Sequence, residues 1–193
     1  MAMIGAGLPT LPGLTGNAKS YAERLFQFPE VGALTREDSI RAIEAPLKNA
    51  AVRINEDAVG MVYEKSHGYP FFLQAWGYQL WNHVEKEPIR MADVESVYPQ
   101  VLARLDASFF KVRIERLTPS EKEFLLAMAE VRKASVKIGE IAAQLGAFPN
   151  ALGPRRGSLI KKGMIYSPAY GELAFSVPLF GDYLLRRGRE VAS

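Results

Sequence analysis

The residues best placed to do chemistry are a group of cations around one short apolar face. Arg155, Arg156, Lys161 and Lys162 bracket Leu159-Ile160. That spacing suits a helix that packs its apolar side inward and offers guanidinium and ammonium groups to phosphates and base edges. Tyr170, in Pro168-Ala169-Tyr170-Gly171, stands where a turn between two strands would present it, and Lys133 and Lys137 lie earlier in the same basic part of the chain. Charge is divided the same way. Residues 1–112 hold 11 Lys/Arg against 13 Asp/Glu, and residues 113–193 hold 13 against 8, within an overall formal charge of +3. A basic C-terminal part on a slightly acidic body suits an anionic partner such as double-stranded DNA. A solvated basic surface gives the same arithmetic.

Other chemistries have little to work with. The sequence contains no Cys, which removes disulfides, thiolate ligands and thiol nucleophiles, and makes a reducing cytoplasm the expected compartment. His67 and His83 are the only histidines, so a metal site would lean on carboxylates and none is expected. Gly13-Leu14-Thr15-Gly16-Asn17-Ala18-Lys19-Ser20 is close to a phosphate loop but has Ala where Gly must precede Lys, and its glycines are too near each other. Gly5-x-Gly7 lacks a third glycine, and no Gly-x-Ser-x-Gly elbow is present. No self-contained active site is expected, and this chain by itself is read as non-catalytic. The sequence has no apolar run of membrane-spanning length and no basic-then-apolar leader, so no membrane role is expected.

The elements that must position these groups read as mainly α. Residues 1–16 are punctuated by Gly and Pro and read as the remnant of an upstream core domain. Residues 17–112 read as a helical bundle. Asn17 caps a helix with Tyr21 and Leu25; Thr35 opens one with Ile40, Ile43 and Leu47; Asn55 caps one with Val59 and Val62. Pro70 starts a helix through Phe72, Trp76, Leu80 and Trp81 that is apolar around most of its circumference, which predicts burial at the bundle centre. A fifth helix runs from about Met91 to Phe110. Residues 113–193 form a second unit: the capping box Thr118-Pro119-Ser120-Glu121 opens a helix, two shorter helices follow, and Met164–Tyr166 and Leu173–Val177 make a hairpin before a last helix. That order is a winged helix-turn-helix.

Several short motifs in order carry a resemblance. Ile4-Gly5-Ala6-Gly7-Leu8-Pro9, Tyr21-Ala22-Glu23-Arg24-Leu25-Phe26 and Gly68-Tyr69-Pro70-Phe71-Phe72-Leu73-Gln74 precede Arg156-x-x-Leu159-Ile160-x-Lys162-Gly163 and Phe175-x-Val177-Pro178-x-Phe180. Together they resemble the C-terminal part, helical lid plus winged helix, of prokaryotic AAA+/STAND-type ATPases. The resemblance implies an upstream core domain that holds ATP and Mg²⁺, with this chain needing no cofactor of its own. It implies that Gly68 and Pro70 lie on the adenine side and that Arg24 reaches toward the phosphates, in cis or from a neighbouring subunit. No arginine follows the Gly-x-Pro motif on its helix, a departure from many AAA+ lids. Two other readings stay open: a self-standing winged-helix regulator that binds DNA, and a protein-docking module without DNA affinity.

Overall fold

The structure is a computed structural model that describes residues 27, 32–85 and 87–192. The expected first helix from Asn17 and the segment before it lie outside the described residues. From Ala33 onward the chain is one compact unit, mainly helical with a small three-stranded antiparallel sheet. Among the described residues no helix is long and apolar enough to cross a membrane.

Helix α1 (Arg36–Asn49) starts as its sequence dictates: the Thr35 hydroxyl accepts from the Asp38 N–H at 3.1 Å. The Asp38 carboxylate accepts from that hydroxyl instead of the Thr35 N–H, so the capping box is incomplete. Pro46 lies inside α1, near its end, and the helix runs on to Asn49. Helix α2 (Glu56–Ser66) begins at Asn55, whose side chain makes no capping bond. The Asn55 N–H instead donates to the Ile89 carbonyl, and the Ile89 N–H to that of Arg53, tying two loops together.

Helix α3 (Pro70–His83) buries Phe72, Leu73, Ala75, Trp76 and Leu80, and Trp76 stacks on Tyr98 at 5.7 Å. Burying each large side chain contributes about 2–3 kcal/mol. The helix is nevertheless one-sided. Phe71, Tyr78 and Trp81 are 40%, 51% and 58% exposed. An apolar circumference states what a helix could bury, and only the neighbours decide what it does bury.

Helix α4 (Met91–Leu105) turns Val94, Val97, Val101 and Leu105 inward. It then passes without a break through a π-helical turn, Asp106–Phe110, into α5 (Lys111–Ile114). Pro99 lies inside α4, but no Pro or Gly falls between it and Ile114, so the helix outlasts its expected end. The π turn lets consecutive aromatics meet different neighbours: Phe109 touches Tyr69, Phe71 and Phe72, while Phe110 stacks on Phe180 and Tyr183.

Helix α6 (Pro119–Glu130) has its complete capping box, with Glu121 accepting from the Thr118 N–H at 2.7 Å. Strand β1 (Val136–Lys137), which the sequence reading missed, leads into α7 (Ile138–Gln144). A 3₁₀ turn at Pro149–Leu152 then leads into α8 (Gly153–Lys161). Pro154 falls in the first turn of α8, where no N–H is needed, and so starts that helix. Strands β2 (Ile165–Tyr166) and β3 (Glu172–Phe175) complete a sheet of order β1-β3-β2, with Val136 opposite Leu173 and Ile165 opposite Phe175. Helix α9 (Phe180–Ala192) packs chiefly on α6.

Candidate functional site

Two places carry the residues singled out from sequence. The first is the start of α3. Gly68 has φ +67°, and a Cβ added there would stand 2.4 Å from the Leu34 carbonyl oxygen. Only glycine satisfies both the left-handed backbone and that approach. Pro70 occupies the first helical position, its missing N–H harmless there. Gly68 and Pro70 thus lie in the one turn that opens α3. Arg24, the third residue expected here, lies outside the described residues.

Pro70 also borders a groove of about 620 Å³ between α1 and α3, lined by Leu34, Pro46, Leu47, Tyr78 and Trp81 among others. Beyond Tyr69, an aromatic path runs through Phe72, Phe109, Phe110, Phe180 and Phe175 with centroid separations of 5.3–5.8 Å. It joins the start of α3 to the sheet across the expected division at residue 112. Asp106, 9% exposed, reinforces that crossing: Arg186 of α9 donates to it at 2.8 Å and Arg187 pairs at 3.7 Å.

The second place is α8 with the β2–β3 turn. At about 100° per residue, Arg155, Arg156 and Lys162 all fall within about 60° of buried Leu159. Pro154, Gly157 and Lys161 occupy the opposite side. The structure thus separates the four cations. Lys161 points outward; Arg155 and Arg156 are half-buried, the Arg156 Nε without a partner. Lys162 is tied back to the body of the fold at its surface, donating at 2.7 Å to Glu121 and at 3.2 Å to the Arg116 carbonyl.

Glu121 is the hub, at 4% exposure. Ser158 donates to it at 2.6 Å, beside Lys162 and the Thr118 N–H. Burial pushes its pKa up, but the hydrogen bonds from Lys162, Ser158 and Thr118, with the Lys162 charge, outweigh that and hold it at about 2. Sequence shows Glu121 only as a capping residue, because both long-range partners belong to a helix some 40 residues on.

Tyr170 is fully exposed at the turn tip. The turn is moored to α7, since the Ile138 N–H donates to the Gly171 carbonyl at 3.2 Å. Lys133 is paired with Glu140, which also caps α7 through the Lys137 N–H; these bonds hold the Glu140 pKa below the ordinary carboxylate range. Phe148, at 84% exposure just before the 3₁₀ turn, is a further surface aromatic that sequence reasoning passed over. Among the described residues no group of three His, Cys, Asp or Glu is placed to hold a metal ion.

Residues 107–184 match the model of a family described as Domain of unknown function (DUF8462). No curated protein matches. Among solved structures, the chain is similar to the Thermotoga maritima RuvB Holliday junction branch migration motor, at 19% identity and a TM-score of 0.38, covering 75% of this chain and 47% of that one. Two point variants of the same protein give the same score and coverage at 18% and 19% identity. The chain thus spans about half the length of the solved structures it matches.

Proposed function

We propose that this chain is the lid and winged-helix part of an AAA+/STAND-like ATP-binding protein, non-catalytic by itself, which turns nucleotide state into displacement of a DNA-contacting module. The observation that carries the reading is the continuous aromatic packing from Tyr69 and Phe72, beside the Gly68–Pro70 turn, to Phe180 and Phe175 behind the sheet. A packed interior passes displacement on because its contacts are dense and bistable rather than compliant. In this reading a preceding core domain holds ATP and Mg²⁺, Gly68 and Pro70 border the adenine, and Arg24 serves the phosphate side. The helix, helix, helix and hairpin order of residues 113–193, with sheet order β1-β3-β2, supports a winged helix-turn-helix. In this reading Lys161 and Tyr170 face the duplex, the half-buried Arg155 and Arg156 reach its backbone from the flank of α8, and Lys162 serves mainly as a brace to Glu121.

Fluorescence anisotropy of a labelled mixed-sequence duplex tests this at low and moderate salt. Salt-sensitive binding that falls in Lys161→Ala and Arg155→Ala supports the reading. Absence of binding even at low salt removes the DNA role. A protein-docking role for the same face then gains, favoured by exposed Phe148 and Tyr170 and by the smooth Pro154–Gly157 side of α8.

A further inference from the structure

The face that α3 turns to solvent has the composition of a protein interior. Phe71, Tyr78 and Trp81 stand 40–58% exposed along it, and the Arg104 guanidinium holds the Tyr78 ring at 4.1 Å. With the exposed Ala42 and Pro46 of α1, Tyr78 and Trp81 border the groove of about 620 Å³. No residue that lines this groove is charged, although 23% of the chain is. From Pro70 to Asn82 the helix carries no charge at all.

Gly77 lies in the middle of that face. Its backbone is ordinary helix, and a Cβ added to it would meet only Ile43 Cδ1, at 3.9 Å, an ordinary contact. Glycine is a poor residue for a helix interior, and nothing among the described residues calls for it here. What its missing side chain provides is close access for a second backbone. At about 100° per residue, Gln74, Gly77 and Trp81 fall in one stripe within about 60°. In that stripe the bulky Trp81 stands on one side of Gly77 and the slimmer Gln74 on the other.

We propose that this face is the contact of a two-fold homodimer, with α3 crossing α3 of a second copy antiparallel at Gly77. A two-fold axis there sets each residue on one side of Gly77 against those equally far along on the other side of the facing helix. Trp81 of one copy then stands over Gln74 of the other, and the same pair forms twice. Charge selects this occupant. Every charge close to a two-fold axis meets its own sign, so a self-facing surface has to be neutral, whereas an unlike partner is ordinarily steered by opposite charge. Area agrees. Helices α1 and α3 have 14 residues each, so the face is about 21 Å long and two helix diameters, about 20 Å, wide. Two such faces together remove roughly 1,000 Å² from water, the lower bound of a specific contact, which suits a dimer of micromolar affinity. The contact centres about 10 Å along α3 from Pro70. The Gly68–Pro70 turn and the cations of α8 stay outside it, so the dimer stands or falls independently of nucleotide or duplex binding.

Sedimentation velocity of the whole chain from about 1 to about 300 µM tests this, with tryptophan emission followed over the same range. The other tryptophan, Trp76, is buried and stacked on Tyr98, so a concentration-dependent blue shift reports Trp81. The expected result is a monomer–dimer equilibrium that stops at two copies, changes little with salt and carries that blue shift. Trp81→Ala should weaken it at least roughly tenfold. Gly77→Leu, whose Cβ has room in the monomer, should do the same while the melting temperature of the dilute protein holds, which a merely structural glycine would not allow. Tyr166→Ala, at an exposed aromatic on β2, should leave the dimer unchanged. A chain still monomeric at the highest concentration overturns the proposal and gives the groove to another occupant. So does a dimer that salt dissolves, one indifferent to Trp81→Ala or Gly77→Leu, one lost in Tyr166→Ala, or association that grows past two copies.

Discussion

Replacing Glu121 by Gln isolates a charge while leaving an acceptor of the same shape. The amide oxygen of the new side chain can take the place of the oxygen that accepts from the Thr118 N–H and so preserve the cap of α6, while its NH2 replaces the oxygen facing Ser158, whose hydroxyl can turn to accept. What disappears is the anion facing Lys162. A carboxyl held at about 2 instead of its ordinary 4.5 corresponds to about 3 kcal/mol of stability at neutral pH. The Lys162 side chain is 34% exposed, so solvent screening brings the figure toward about 2 kcal/mol. Because the folded-state pKa is the lower one, this stability is fully present above the unfolded value. It is lost as pH falls from about 4.5 toward about 2. Urea unfolding of the two proteins across that range is the assay. The native chain should start about 2–3 kcal/mol ahead of Glu121→Gln near neutrality and lose that lead as acid is added. Parallel curves, with a constant gap through the acid limb, would refute the assignment of Glu121 as an ionised buried hub.

Three further expectations rest on single features. Gly68→Ala should destabilise the fold by about 2–4 kcal/mol, since it combines a left-handed backbone with a backbone clash; a change below about 0.5 kcal/mol in chemical denaturation would contradict the geometry. Phe110→Ala should cost about 3–5 kcal/mol through the cavity left between the π turn and α9, and limited proteolysis should then release α9 first if that contact holds it. Asp106→Asn should cost about 1–2 kcal/mol by weakening its bonds to Arg186 and Arg187. Its deficit in thermal melts should shrink as salt rises, and a salt-independent deficit would point to packing instead of charge.

Local grammar carried much of the fold into the sequence. Thr118 and Glu121 announce the start of α6 because the capping partners are three residues apart, and Gly68 with Pro70 announces the turn before α3 for the same reason. The spacing of Val94, Val97 and Val101 is that of one helix face, and all three are buried on α4. Features requiring distant partners were not legible. Strand β1 is two residues long and exists because β3 pairs with it, so no alternation could reveal it. The exposure of Trp81 depended on neighbours absent from its own helix. The candidate site divides along the same line. Pro70 and Gly68 were readable as a local turn, whereas the inward commitment of Lys162 required Glu121 to arrive from another helix.

The π turn at Asp106–Phe110 also sets a phase. From Met91 to Ile114 the chain runs as one rod about 36 Å long, and the wide turn is where its two ends are rotated relative to each other. A π turn equals one residue inserted into an α-helix, so removing one residue there would restore an ordinary turn and swing the Ile114 end by about 100°. Phe110 would then no longer meet Phe180 and Tyr183. The number of residues between Leu105 and Lys111 is thus as much a constraint as their identity: the segment acts as a keyed shaft, tolerant of altered side chains on its open side but not of altered length.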